Sequence, residues 1–560
     1  MSDSQPNAVE QILQSVDWTS IRDERARESI RLLLNLVESL TADLRKAQAE
    51  ILYLREQLKD RKGGGGKPGS SREGSPPAGR SSEKERAEAA ETPKSTKRSK
   101  LDRIHIDREE VLRVDRSKMP PDAQFKGYED VVVQEFRMCT DNVKYRKEKF
   151  YSPSTRQTFL APLPPGYRGE FGPGLKSSCL LFSHLCNMTE PKIADLLANV
   201  GIVISAGQIS AWLTGAHEQF EEEKKAVVES GLRSTPWQHI DDTGTRVNGQ
   251  NQHCQVLCNP LYTAYFTTAR KDRLTIIDVL RNGRERKFRI NEEALGLLRG
   301  FNQSQWVMRR VGQLPFHQDW SEAELERRLA DQIPDLPQTA RGRILEAAAL
   351  AAYHAEPGHV RLLVCDDAKQ FKLVPEELAL CWIHEGRHYQ SLAPCVPQHR
   401  QLLEDFRQRY WDYYKQLRTY QQAPTREQAP PLRDQFDELF STVTGYDVLD
   451  ERIARTKDHK VNLLMVLDHP EIPLHNNPAE LDARSRVRKR VVSYGPRSAM
   501  GAAAWDTMET LLGTAKKLGV NFFHYIRDRV SGAKQMPALA DLIDQRARTA
   551  NLSPSWGGGT

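Results

Sequence analysis

Near the start of the chain, apolar residues return at alternating steps of three and four: Ile30, Leu33, Val37, Leu40, Leu44, Ala47, Ile51, Leu54 and Leu58. A stripe with that rhythm is the seam of a coiled coil, because a repeat of about 3.5 residues keeps one helix face turned to a partner. Residues 1–60 are therefore expected to self-associate, the alternative being an amphipathic helix docked on the chain's own core. The pattern then stops. Residues 61–100 contain GGGGKPGSSREGSPPAGRSS and a charged stretch ending TPKSTKRSK, with almost nothing apolar to bury, and read as a disordered basic linker.

Residues 101–175 mix β-like runs such as VVVQEF with Pro-rich turns such as APLPPGYRG, which predicts a small β-containing module. From 176 to 230 the period becomes helical. Thr189 suits an N-cap and Gly201 a helix stop, and Ser205 with Gln208 makes a capping-box pattern that opens a second short helix. Two short helices across a turn give a helix-turn-helix-like region, with a plain helical hairpin as the alternative. If the region reads DNA, Gln208 and Ser210 are the side chains early in the second helix that suit base edges or phosphates.

Further on, PWQHIDDTGTRVNGQNQHCQVLCNPLYTAYFTTAR reads as three successive strands, with Asn and Gly at the first turn and Asn259-Pro260 at the second. KDRLTIIDVLRN is helical in pattern, and HVRLLVCDDAK is a short apolar run of the kind a buried parallel strand shows. Each of two strands thus ends in an acidic pair, Asp241-Asp242 and Asp366-Asp367. A third acid is expected on a helix packed against those strand ends. Glu480 qualifies, followed at helical spacing by Arg484 and Arg488. Two divalent cations a few ångströms apart need several oxygen ligands that no single element can present, and a basic helix face beside them would hold a phosphate backbone.

Composition narrows the setting. A chain of 560 residues with 39% hydrophobic residues implies several domains with real cores. No apolar run approaches bilayer length and MSDSQPNAVE lacks a secretory pattern, so no membrane partner and a cytoplasmic location are expected. The eight cysteines are spread out as reduced thiols would be. Cys254 and Cys258 share one strand face and read as core, since no second close Cys or His pair completes a zinc pattern. A net charge of +6 permits a polyanion partner without demanding one.

The succession IDDTG, VCDDAK, CWIHEGRHY and HNNPAELDARSRVRKR resembles the insertion-sequence-66 family of bacterial transposases, the TnpC-type proteins. The resemblance covers roughly Lys176 to Val530 and, more weakly, the N-terminal helix. It places the family's three metal-binding acids on Asp241, with Thr243 after it, on Asp366, and on Glu480 after Asn476 and Asn477. Alternation along a strand says only that one member of each pair faces the site; the resemblance selects Asp241 and Asp366 over Asp242 and Asp367. Cys381, Trp382, His384 and Arg387 match a strand motif of the family, and His384 and Arg387, with Asn477 of the third motif, are accessory candidates. His384 also suits a core or sheet residue, and Cys381 the core. Three departures stand out. The cysteine pairs of the family's N-terminal zinc module have no counterpart, Cys139 standing alone, so no zinc is expected there. His475 replaces the acid before the paired asparagines, and Leu481 the arginine after the glutamate. The interval from Arg281 to Gly358 looks longer than usual and reads as a helical insertion.

The resemblance implies an α/β, RNase H-like catalytic domain over 231–535, with helical insertions at about 283–358 and 397–470 and a C-terminal tail at 536–560. It implies an Asp-Asp-Glu (DDE) transposase of a mobile insertion sequence that cleaves DNA and joins strands with two Mg2+ or Mn2+ ions. The partners would be the element's terminal inverted repeats and target DNA, a second protomer at least, and small companion proteins of the same element. Arg484, Arg488, Lys489 and Arg490 would hold phosphates, and the protein would work on the bacterial nucleoid. The alternatives are an RNase H-like nuclease without strand transfer and a transposase-derived DNA-binding protein.

Overall fold

The computed structural model describes residues 22–62, 104–115, 118–120, 123–136, 138–167 and 169–549. The linker expected at 61–100 therefore lies almost wholly outside the described residues, as does the end of the C-terminal tail. The chain divides into two units, one of residues 1–68, 145–195 and 204–560, the other of 69–144 with 196–203. No helix among the described residues is long and apolar enough to cross a membrane.

The elements run α1 (Glu24–Lys62), β1 (Lys149–Ser152), β2 (Gln157–Leu160), α2 (Pro173–His184), α3 (Glu190–Asn199), α4 (Ala206–Arg233), β3 (Trp237–Val247), β4 (Gln250–Cys258) and β5 (Thr263–Thr268). Then come α5 (Arg273–Leu280), β6 (Phe288–Arg289), α6 (Glu292–Gly300), α7 (Gln305–Val311), β7 (Asp319–Trp320), α8 (Glu322–Gln332), α9 (Gln338–His354), β8 (Leu362–Cys365) and β9 (Glu377–Leu380). The rest is helical: α10 (Trp382–Gln390), α11 (Pro397–Gln422), α12 (Ala429–Leu439), α13 (Asp447–Asp458), α14 (Lys460–Leu463), a 3-10 turn at Met465–Leu467, α15 (Asn477–Ser493), α16 (Ala499–Lys517), α17 (Phe522–Ser531) and α18 (Leu539–Thr549).

The architecture is mixed α/β, mostly helical, around a five-stranded sheet of order β5-β4-β3-β8-β9. Strands β3, β4 and β5 form the antiparallel meander that the sequence predicts, joined first by Asn248 and Gly249, both at positive φ as a two-residue hairpin turn requires. Strand β8 then joins parallel to β3, and β9 parallel to β8. A crossover of helices makes that parallel return possible, with α9 buried along most of its length.

Edge strand β5 is closed by a side-chain ladder. The amides of Thr263, Tyr265 and Thr267 donate to Thr514 Oγ1 (3.3 Å), Thr510 Oγ1 (3.1 Å) and Asp506 Oδ2 (2.6 Å) of α16. Two residues of strand advance about as far as four residues of helix, so the two spacings match. The exposed amide row that would otherwise template a further strand is thereby used. At the opposite edge, Trp382 sits fully buried among Tyr410, Tyr413, Tyr414 and Phe436, which binds the helices after β9 into one aromatic core. Gly386 lets α10 approach α11: a Cβ there would meet the Trp411 ring at 2.7 Å.

Helix α1 docks one face on this unit. Leu34 packs on Val396, with Ile30, Val37 and Cys395 around them. Glu38 takes the amides of Cys395 (2.7 Å) and Val396 (3.1 Å), capping α11, which has no side-chain cap of its own. Leu33, Leu40 and Leu44, members of the predicted seam, lie on another face and stay exposed.

Three local expectations are corrected. CWIHEGRHY is not a strand: Cys381 is the N-cap of α10, its Sγ accepting from the His384 amide, so the apolar positions of the motif follow a helix against the aromatic core. The helix opened by Ser205 is not short, since α4 runs for 28 residues and buries a face from Ile209 to Val228. VVVQEF, in the second unit, forms no strand; Val131, Val133 and Phe136 are exposed and lie in no strand pairing. Strand propensity needs a neighbouring strand to be realised. The hairpin of the region is β1–β2 instead.

Candidate active site

Sheet register sets the site. His239 of β3 is paired with Val364 of β8 in parallel, so Asp241 on β3 and Asp366 just past the end of β8 stand at equivalent places, each two residues beyond that pair. Neighbouring strands lie about 4.8 Å apart, which brings the two carboxylates to one sheet edge. Asp241 accepts its neighbour's amide, Asp242 N, at 2.8 Å, and Asp366 accepts Ala368 N at 3.1 Å. Burial above all, and then the charges of Asp366, Asp242 and Glu480, push the Asp241 carboxyl up to about 7.

The second member of each pair has other partners. Asp242 takes Gln370 Nε2 at 3.0 Å and Lys271 Nζ at 3.3 Å. Asp367 is bridged by Lys372 at 2.5 Å, with His459 at 3.6 Å. Adjacent side chains on extended backbone point apart, and here one side of each pair meets lysine.

Glu480 lies in the first turn of α15, where the helix dipole favours an acid. Burial raises its carboxyl, but Arg387 of α10 (3.0 Å to Oε2) and Arg484 (2.8 Å to Oε1) outweigh it and hold the group below the ordinary carboxylate value. Among the described residues no three acid, His or Cys side chains are close enough together to hold one metal ion, and Glu480 has both oxygens on guanidiniums. The donor set is all carboxylate oxygen, which suits hard divalent cations, and the buried Asn477 Oδ1, one helical turn before Glu480, takes no hydrogen bond.

Asn476 ties these elements together. Its Oδ1 meets His239 Nδ1 at 2.8 Å, its Nδ2 donates to Ile240 O at 2.8 Å, and its amide donates to Cys381 Sγ at 3.2 Å. The backbone adds Cys381 N to Cys365 O and Trp382 N to Leu474 O, each 3.0 Å. The strand carrying Asp241, the strand preceding Asp366, the helix carrying Arg387 and the helix carrying Glu480 are thus pinned at one point. Burial drives His239 down to about 3, so the imidazole is neutral. Asn476 was visible in the sequence only as one of two asparagines before a helix. Its three partners lie far away in the chain.

The remaining predicted residues divide. Arg484 and Arg488 are exposed on α15, and Arg490 is half-buried with a hydrogen bond to Gly244 O. Lys489 is a correction: it is buried, its ammonium spent on Ser183 O (2.8 Å), His184 Nδ1 (3.0 Å) and Glu509 (3.5 Å) beside the Trp505 ring, so it offers no phosphate contact. Buried Arg486 joins that network through Asp506 and Glu509. His384 stacks edge-on with His388 at 5.2 Å. Gln208 and Ser210 lie in the first turns of α4, and Gln208 lines a cleft with Phe171, Lys176 and Trp212.

Comparison with known proteins fits this arrangement. The sequence model of the transposase IS66 family matches residues 339–504, the stretch that carries Asp366, Arg387 and Glu480. The chain is 33% identical over 335 residues to the uncharacterized protein y4jO of Sinorhizobium fredii, covering 57% of this chain and 100% of that protein. The chain belongs to the IS66 transposase family. The matched stretch of this transposase begins within α9 and ends within α16, so it holds two of the three acids, while Asp241 comes from the meander before it.

Proposed function

We propose that the transposase cleaves the ends of its element and joins them to target DNA through Asp241, Asp366 and Glu480. The observation that carries this reading is that Asp241 and Asp366 lie at equivalent distances beyond a parallel pair of adjacent strands, Asp366 just past the strand end, with Glu480 near enough to act on the Asp241 carboxyl. The strand order, with an antiparallel meander followed by two parallel strands beside its first member, supports an RNase H-like core.

Mg2+ or Mn2+, as a pair of ions bound by the three acids, would activate water or a DNA 3′-hydroxyl and stabilise the leaving oxygen at phosphorus. Asp241, Asp366 and Glu480 supply the oxygens. Asn476 keeps their elements in register, and Arg387 positions Glu480 and offers a guanidinium beside the reacting phosphate. Arg484, Arg488 and Arg490 hold the backbone, while the α3–α4 region, with Gln208 and Ser210, and the β1–β2 module recognise terminal repeats. The exposed stripe of α1 pairs protomers in a coiled coil so that two ends are processed together, in the bacterial cytoplasm on the nucleoid. Small companion proteins of the same element are further partners on this reading.

A strand-transfer assay with paired element ends, Mg2+ or Mn2+ and a target plasmid tests the reading. Joined products that vanish in Asp241→Asn support it. Cleavage without joining makes the protein a nuclease, and DNA binding without either makes it a DNA-binding derivative.

A further inference from the structure

Helix α15 ends in an exposed aromatic ring. Tyr494 caps it in the left-handed conformation (φ 61°, ψ 11°), its amide donating to Arg490 O at 2.7 Å, and the residue is 89% exposed. A residue with a Cβ adopts that backbone only when its surroundings impose it. Here they do. Gly495 passes so close to strand β3 that a Cβ would lie 2.6 Å from Arg246 O, and Asn248 N donates to Pro496 O at 3.1 Å. Ser498 then caps α16 through the Gly501 amide. The ring is therefore presented to solvent from a turn held at both ends, with Val491 and Val492 exposed beside it.

The chain segments that form this turn carry one sign of charge. No Asp or Glu occurs from Thr243 to Lys271 or from Ala483 to Trp505. Those stretches supply the β3–β4 hairpin, β5, the C-terminal part of α15 beyond Asp482 and the turn that follows it, including Arg246, Arg488, Arg490 and Arg497. An exposed aromatic face on arginine-bearing segments without acids suits a nucleic acid strand: phosphates meet the guanidiniums and a base meets the ring.

The same two elements carry the acids. From Glu480 to Tyr494 the helix advances about 21 Å. From Asp241 to Val247, beside the Gly495 contact, the strand advances about 20 Å. Both routes give a separation of about six nucleotides at 3.4 Å each.

Resting on the DNA-processing reading above, we propose that Tyr494 is a base-stacking platform that takes one unpaired base of the bound DNA about six nucleotides from the scissile phosphate. The test uses the full chain and a fluorescent duplex with a free 3′-hydroxyl end, into which one unpaired thymine is placed at successive positions from that end. Wild type is expected to bind best when the unpaired base lies near the sixth position. Tyr494→Asn, which tolerates the left-handed backbone, should lose about tenfold of that affinity at that position and little on fully paired duplex, while Tyr494→Trp retains it. Arg488→Ala should weaken every duplex alike. If wild type binds duplex in a salt-dependent manner yet shows no positional preference, or Tyr494→Asn keeps it, the stacking role is overturned and the DNA reading stands. If wild type binds no duplex, both fall. A drop in assembly mass in Tyr494→Asn with unchanged DNA binding would assign the ring to a second copy and overturn the proposal.

Discussion

Asp241 and Glu480 are both carboxylates at one sheet edge, yet their surroundings push them in opposite directions. Asp241, buried beside other acids, is raised to about 7, whereas Glu480 is held low by two arginines. The burial of Asp241 among other acids is what a divalent cation would relieve. Asp241→Asn, Asp366→Asn and Glu480→Gln should each lower strand transfer by about a thousandfold or more while DNA affinity stays near wild type. Asp242→Asn and Asp367→Asn, whose partners are Lys271 with Gln370 and Lys372 with His459, should stay within about tenfold, as measured in the same assay. Glu385 makes a separate, structural prediction. Burial raises its carboxyl, but the nearby His459 imidazole (3.9 Å) and hydrogen bonds from Thr456 and Arg452 outweigh that and hold it at about 2, against an ordinary 4.5. The unfolded chain then binds the extra proton between those values. Stability from this group is present above about 4.5 and lost as pH falls toward 2, a contribution of about 3 kcal/mol. Glu385→Gln should lower the urea midpoint at neutral pH and flatten its decline between pH 5 and 3, measured by circular dichroism.

At the scale of elements, α1 separates two roles that its sequence pattern superposes. Glu38, Leu34 and Asn35 face the chain itself, with Asn35 Nδ2 on Gly445 O at 3.0 Å. Leu40 and Leu44 remain 60% and 58% exposed, so nothing among the described residues buries that stripe, and a second copy is the partner it suits. Leu40→Glu with Leu44→Glu should reduce the assembly mass seen by light scattering without lowering the unfolding temperature of the chain appreciably. An unchanged mass would confine the helix to its intramolecular role. Helix α15 shows how one element divides its faces. Arg486 and Lys489 point into a buried network with Glu509, whereas Arg484 and Arg488 point outward. Residues three apart share a face, so the buried and exposed cations alternate in sequence and are separable only by packing.

For the whole molecule, affinity for DNA is expected to divide between two surfaces. Arg488 on the exposed side of α15 can neutralise a phosphate but has no evident route to base edges, so Arg488→Ala should weaken binding to element ends and random duplex equally and flatten the salt slope by about one unit. Gln208, in the first turn of α4 behind the Ser205 cap, has an amide suited to a base edge. Gln208→Ala should narrow the gap between element ends and random duplex by about 1 kcal/mol or more, read by competition binding at two salt concentrations. Full discrimination in that variant would move recognition to the β1–β2 module.

What the sequence determined by itself was local: the three-strand meander with its Asn-Gly turn, the apolar strand ending in Asp366, and the helix after Asn476-Asn477 that carries Glu480. Alternation, turn chemistry and helical spacing are properties of neighbouring residues, so they can be read along the chain. Tertiary structure decided the rest. It turned CWIHEGRHY into a helix because an aromatic core waits for Trp382, extended α4 well beyond its capped start, left VVVQEF without a partner strand and withdrew Lys489 into the protein. It also brought lysines to Asp242 and Asp367, and joined Asn476 to His239 and Cys381. Each of these depends on which distant segment comes to lie alongside, and burial and pairing across hundreds of residues leave no periodic trace in the sequence of either partner.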